Sequence, residues 1–242
     1  MLEIYHLVIR FKMEVKHLFF DLDRTLWDFE KNSKETLTEI YNYFKLREKG
    51  ILSLNKFIEV YIKQNDILWD KYRKGLVEKK TLRSSRFSNT LIEFGYSNKK
   101  LSKKIGDYYV NESPRKKKLF PNTFETLDYL YDRYPMHIIT NGFEEVQYIK
   151  LKNCNLEKYF KHVITSEKSG VKKPNPRIFN YALKKANASS KNSIYVGDDL
   201  FIDMIGAKNV GMKQCYFNPY LEKHNEVLTF EIQDLIELTK IL

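Results

Sequence analysis

Short apolar runs recur along the chain at Lys16–Asp21 (KHLFFD), Met136–Thr140 (MHIIT), His162–Thr165 (HVIT), Ser193–Gly197 (SIYVG) and Lys213–Phe217 (KQCYF). Near-continuous hydrophobicity over so short a length marks a strand buried on both faces. Helical periodicities separate the later runs, and that alternation predicts a doubly wound α/β fold on a parallel sheet. A last short strand near Thr229–Ile232 and an amphipathic tail from Gln233 close the pattern.

Two helices covering the sheet are legible. One starts at Asn122 as cap with Glu125 as its capping-box partner, and places Phe124, Leu127, Leu130 and Tyr131 on one face. The other follows Asn175, with Pro176 in the first helical position and Ile178, Phe179, Ala182, Leu183 and Ala186 at core spacing. Residues 28–113 break the strand–helix rhythm. They carry only helical periodicity, as in Leu37, Ile40, Tyr41 and Phe44, then Phe57–Tyr72, then Phe87–Phe94. That interval is far too long for one crossover, so it reads as an inserted all-helical domain. The expected division is residues 13–27 with 115–242 as the core, 28–114 as a helical cap, and 1–12 as an N-terminal extension with Met13 as a possible start. The basic run Pro114–Lys118 between cap and core reads as a solvated linker or as a contact to substrate phosphate.

Composition adds bounds. With 242 residues, 43% apolar and 14% aromatic, and only 9 Gly and 6 Pro, the chain has side-chain area enough for a large core, which excludes a disordered protein. The net charge of +11 is spread along the whole length without a nucleic-acid-binding motif. It therefore suits a small phosphorylated metabolite as partner better than a nucleic acid polymer. Cys154 and Cys215 have no metal or redox spacing and read as small buried hydrophobes. The five histidines are dispersed along the sequence and suggest no zinc site. No apolar run is long enough to span a bilayer and no export signal precedes the first strand, so no membrane partner is expected and a cytoplasmic location is.

Candidate chemistry sits at the strand ends. Asp21 and Asp23, at i and i+2 in Asp21-Leu22-Asp23-Arg24-Thr25, point to the same side at the edge where open α/β sheets bind ligands. Thr140-Asn141-Gly142 offers a hydroxyl and backbone N–H groups that can cradle phosphoryl oxygens, or it is an ordinary turn. Lys172 and Lys173 precede Pro174 and Pro176, so either ammonium can be fixed for a phosphate dianion, or both can lie on the surface. Asp198, Asp199 and Asp203 form an acidic cluster without His or thiolate, which favours Mg²⁺ over zinc, although Asp199 also fits a helix cap.

These four elements in this order resemble the haloacid dehalogenase-like (HAD) hydrolase superfamily, from Met13 onward and including the place of the helical insertion. The resemblance implies a Mg²⁺-dependent phosphomonoester hydrolase with Asp21 as nucleophile and Asp23 as general acid/base. Thr140, Asn141 and Lys173 become the phosphate binders. Asp21, the Asp23 main-chain carbonyl and Asp198 hold the metal, and Asp203 and Thr25 support them. The chemistry needs Asp23 protonated at the outset, which crowding by other carboxylates can supply. An acid at position 23 and a metal cluster favour phosphate esters over carbon–halogen bonds.

Trp27-Asp28-Phe29, the segment Leu68–Gly75 and Arg86-Phe87 look similar to a branch of pyrimidine 5′-nucleotidases. That likeness makes Arg24, Trp27, Tyr72 and Arg86 candidate substrate contacts, although Trp69 and Tyr72 at helical spacing also fit core positions. A sugar-phosphate phosphatase, such as one acting on an acylneuraminate phosphate, and a catalytically silent relative that keeps the fold are the competing readings.

Overall fold

The computed structural model describes residues 15–242; the expected N-terminal extension lies outside the described residues. Six strands, β1 (His17–Phe20), β2 (Met136–Thr140), β3 (Phe160–Thr165), β4 (Ser193–Gly197), β5 (Lys213–Phe217) and β6 (Phe230–Ile232), form one sheet in the order β3-β2-β1-β4-β5-β6. Every pairing is parallel. After β1 the chain builds outward on one side and then crosses to the other, so the order reverses around β1. Such a switch point opens a crevice at the C-terminal strand ends.

Alternation along the strands divides the core between the two faces. Leu18 and Phe20 pack with Leu127, Leu130, Ile138, Ile194 and Val196 on one side, and Phe19 with Ile139, Ile178, Phe179 and Tyr195 on the other. The helical insertion is observed as α1 (Phe29–Tyr43), α2 (Leu54–Arg73), α3 (Lys79–Ile92) and α4 (Lys99–Glu112). It has its own apolar centre built from Leu37, Ile40, Phe57, Tyr61, Phe87, Ile105 and Tyr109. Core helices α5 (Thr123–Tyr131), α6 (Glu144–Asn153), α7 (Ser166–Ser169) and α8 (Pro176–Ala186) follow. A separate apolar cluster of Leu68, Tyr72 and Leu82 from the cap with Phe143 from the core joins the two parts.

Local expectations hold unevenly. Helix α8 begins as read: the Asn175 side chain accepts from the Arg177 N–H, and Ile178, Phe179, Ala182 and Leu183 are buried. Helix α5 does not. Asn122 adopts a left-handed conformation and caps nothing; its amide instead donates to Asp234 at 2.8 Å. The buried face there is Thr123, Thr126, Leu127 and Leu130, while Phe124 and Tyr131 are exposed. The basic run after the cap is largely exposed, with Arg115, Lys117 and Lys118 in solvent, as a linker reading expects, and none of it lines the catalytic cavity; Lys116 pairs with Glu35 and Glu39, and Lys118 with Glu35, tying it to α1. Both cysteines are buried. Histidines distant in sequence meet across the sheet, where His137 stacks between His17 and His162 at ring separations of 5.6 and 5.2 Å. Among the described residues no helix is long and apolar enough to cross a membrane.

Candidate active site

Three strand ends and one loop supply one cavity. Asp21 and Asp23 follow β1, Thr140 ends β2 and is followed by Asn141, Lys173 lies on the loop between α7 and α8, and Asp198 follows β4; all line the same crevice. Buried apolar residues of β1, β2 and β4 precede Asp21, Thr140 and Asp198 and fix their backbone, while Lys173 is held by the Asn141 side chain and by the acids around its ammonium.

Lys173 is the fixed cation. Its side chain is 2% exposed, and Nζ lies 2.6 Å from Asp203 Oδ1, 2.8 Å from the Tyr195 hydroxyl and 2.9 Å from Asp21 Oδ1. Burial pushes its pKa down, but Asp203 and Asp21 outweigh burial and raise it, so the ammonium stays charged. Lys172 instead stands over the Tyr72 ring at 4.1 Å, which decides between the two lysines. Asn141 holds the loop from both sides: its Oδ1 accepts from the Lys173 N–H at 2.7 Å and its Nδ2 donates to the Lys173 carbonyl at 3.0 Å. Its side chain is therefore committed to the lysine loop rather than offered to a ligand.

Asp21, Asp198 and Asp203 bring carboxylate oxygens within 4.8 Å of one another. Burial first, then Asp203 and Asp23, push Asp21 up to about 7 against the opposing pull of Lys173. Asp198 is raised by burial and by Asp203 and Asp21. Apart from the Lys173 ammonium at 2.9 Å, Asp21 Oδ1 has no polar partner. Buried carboxylates short of positive charge, with no soft ligand beside them, fit a hard divalent cation such as Mg²⁺. Thr25 donates to Asp198 Oδ1 at 3.1 Å. Asp199 caps the following turn by accepting from the Phe201 and Ile202 N–H groups. That turn, Leu200–Ile205, is π-helical and carries Asp203 back beneath the site. Gly197 permits this, since a β-carbon there would stand 2.4 Å from Asp203 Oδ2.

The expected crowding falls on Asp21, Asp198 and Asp203, not on Asp23. The Asp23 carboxylate turns toward α6, where Lys150 pairs with Oδ1 and Gln147 Nε2 donates to Oδ2 at 2.8 Å. Sequence reading missed both partners. The available signal was a glutamine and a lysine one helical turn apart, five and eight residues after Gly142.

Two of the four candidate substrate contacts lie elsewhere. Trp27 is fully buried, donates to the Lys116 carbonyl at 3.0 Å and carries the Lys150 ammonium 4.1 Å from its ring. Tyr72 is buried against Phe143 and Trp69. Trp27 belongs to the apolar core beside β1 and Tyr72 to the cluster that joins cap and core, each with an ammonium set over its ring. Arg24, at φ 64°, lines the catalytic cavity, with Nε 2.6 Å from Glu30. Arg86 lines an adjoining pocket that also reaches Asp23. Cap residues Asn65, Trp69 and Arg73, along one side of α2, complete the cavity; Trp69 and Arg73 lie in the Leu68–Gly75 segment noted for its likeness to the nucleotidases, Trp69 with a core position as the alternative, and Asn65 was not singled out.

Comparison with known proteins agrees with this arrangement. The family model described as haloacid dehalogenase-like hydrolase matches residues 18–217. The crystal structure of YfnB from Bacillus subtilis bound to magnesium superposes with a TM-score of 0.84 at 27% identity, covering 94% of this chain and 98% of that one. The pyrimidine 5′-nucleotidase PynA of Streptococcus pneumoniae is 28% identical over 93% of this chain and 95% of its own. A glyceraldehyde 3-phosphate phosphatase of Methanothermobacter thermautotrophicus is 29% identical over 94% of this chain and 100% of its own.

Proposed function

From the premise that this chain belongs to the haloacid dehalogenase-like hydrolase family, we propose that it hydrolyses small phosphomonoesters through a phosphoryl group carried on Asp21. The observation that carries the reading is the convergence of Asp21, Lys173 and Asp198 on one buried cavity. Asp21 attacks phosphorus in line, forming an O–P bond as the ester O–P bond breaks, and Asp23, a carboxylate before substrate enters, takes up a proton as the phosphate dianion binds beside it and gives that proton to the leaving oxygen. Lys173 and the Thr140 hydroxyl hold the phosphoryl oxygens as charge spreads onto them. Asp23 then takes a proton from water, whose oxygen bonds to phosphorus and releases Asp21 and inorganic phosphate. Asp21, Asp198 and the Asp23 main-chain carbonyl would hold magnesium, which when bound would supply the positive charge that lets a carboxylate approach a phosphate dianion. Asp203 keeps Lys173 in place, and Thr25 orients Asp198.

Residues 28–114 act as the cap that admits the leaving group, over a core of which residues 115–242 form the larger part. Pyrimidine nucleoside 5′-monophosphates are the favoured substrates, supported by the likeness to PynA over nearly the whole chain and by the Trp69 face in the cavity. The likeness to a glyceraldehyde 3-phosphate phosphatase favours a short sugar phosphate as the second reading. Phosphate release from a panel of nucleotides and sugar phosphates with magnesium separates the two. Preference for nucleotides is the expected result, and preference for sugar phosphates overturns the substrate assignment.

A further inference from the structure

Gln147, on α6, touches both of the groups that must act at opposite ends of the breaking bond. Its Nε2 donates to Asp23 Oδ2 at 2.8 Å and to Thr140 Oγ1 at 2.7 Å. The residue is fully buried, and its Oε1 has no partner. The Thr140 oxygen also accepts from the Gly142 N–H at 3.0 Å. A hydroxyl has two acceptor lone pairs and one hydrogen, and both lone pairs are now occupied. The hydrogen is therefore the one part of the Thr140 hydroxyl left to bond, and Thr140 lines the catalytic cavity. With the amide turned over, its carbonyl oxygen would face the Asp23 carboxylate, and it would draw the Thr140 hydrogen away from the cavity. The carboxylate thus sets which way round the amide sits.

Lys150, one turn further along α6, holds the other oxygen of Asp23, so two side chains of one helix grip that carboxylate from behind. Gly142 keeps the space open. A β-carbon there would stand 2.0 Å from Gln147 Nε2 and 2.4 Å from Cδ.

We propose that Gln147 is a positioning residue that forces the Thr140 hydroxyl to act as a donor to the phosphoryl group and, through the same amide nitrogen, aims Asp23 at the leaving oxygen. The inference rests on the phosphoryl-transfer reading above, and it adds a specific device that couples the two ends of the reaction.

The test uses the full chain with magnesium and phenyl phosphate, reading kcat and KM for wild type, Gln147→Leu, Gln147→Glu, Gly142→Ala and the Gly142→Ala/Gln147→Leu double variant, with thermal melts alongside. Removing one well-placed donor costs enzymes about a hundredfold or more in kcat, so a mispositioned one should cost about tenfold. The expected result is that kcat falls about tenfold in Gln147→Leu and further in Gln147→Glu, because an ionised carboxylate only accepts hydrogen bonds and captures the Thr140 hydrogen. Gly142→Ala should match Gln147→Leu, since a methyl group there pushes the flexible amide aside, and the double variant should be no worse than either. An active wild type with an unimpaired Gln147→Leu overturns this inference alone, as do losses that multiply in the double variant or a fall in kcat that tracks a fall in melting temperature. A wild type inert on every phosphate ester overturns the phosphoryl-transfer reading itself.

Discussion

The Lys173 ammonium lies 2.6 Å from Asp203 Oδ1, with the two side chains 2% and 1% exposed. An ion pair so enclosed contributes little net stability as a pair, yet removing one partner leaves a charge without compensation and costs about 3–5 kcal/mol. Asp203→Ala should therefore lower the urea-unfolding free energy at pH 7 by about that amount and release Lys173 from its place beside Asp21. A change within experimental error would mean that Tyr195 and Asp21 suffice to hold the lysine.

Carboxylates raised by burial and by one another should welcome a divalent cation. Adding magnesium to chelator-treated protein at a hundredfold excess over its Kd should stabilise the fold by about 2.7 kcal/mol, read as a rise in melting temperature. Asp198→Ala should remove most of that rise. A shift of equal size in the variant would place the metal elsewhere.

Trp69 lines the cavity and lies with its ring 5.3 Å from that of Phe143. If it carries the leaving group, Trp69→Ala should raise KM for a pyrimidine nucleoside monophosphate about tenfold, which corresponds to about 1.4 kcal/mol of lost stacking. Phenyl phosphate kinetics should move much less. Equal effects on both substrates would indicate a loosened cap instead.

Burial, with the neighbouring His162, His17 and Lys161, pushes His137 down to about 3. The unfolded chain takes up this proton near pH 6.5, whereas the native protein refuses it until far lower. The stability that depends on a neutral His137 is therefore complete above the mid-six range and is lost as pH falls, at about 1.4 kcal/mol per pH unit. Urea unfolding at pH 7 and pH 5 should show a smaller loss in His137→Gln than in wild type. Parallel losses would show that other groups govern the acid sensitivity.

Much of the site was legible because its residues sit next to strands. Leu18-Phe19-Phe20 before Asp21, and Ile194-Tyr195-Val196 before Gly197-Asp198, announce both a buried strand and the point where it meets solvent. What escaped depends on partners distant in sequence. Gln147 and Lys150 carry no motif of their own, since only the tertiary arrangement sets Asp23 against them. Trp27 passed for a ligand contact because an aromatic near a catalytic motif is ambiguous until the Lys116 carbonyl and the Lys150 ammonium are seen around it. Asn122 matched a capping box in spacing, but its backbone turns left-handed and its side chain reaches Asp234 instead. Asn65 gave no local signal, since only the fold of the cap turns that side of α2 toward the core.

The central claim is that the Asp21 carboxylate becomes the carrier of the phosphoryl group. Rapid acid quench during turnover of a ³²P-labelled phosphate ester, followed by peptide mapping, tests it most directly. The account predicts an acid-stable label on the peptide containing Asp21 that is absent from Asp21→Asn and disappears on chase with unlabelled substrate. Turnover with no labelled protein at any time point, or label on another residue, would contradict it.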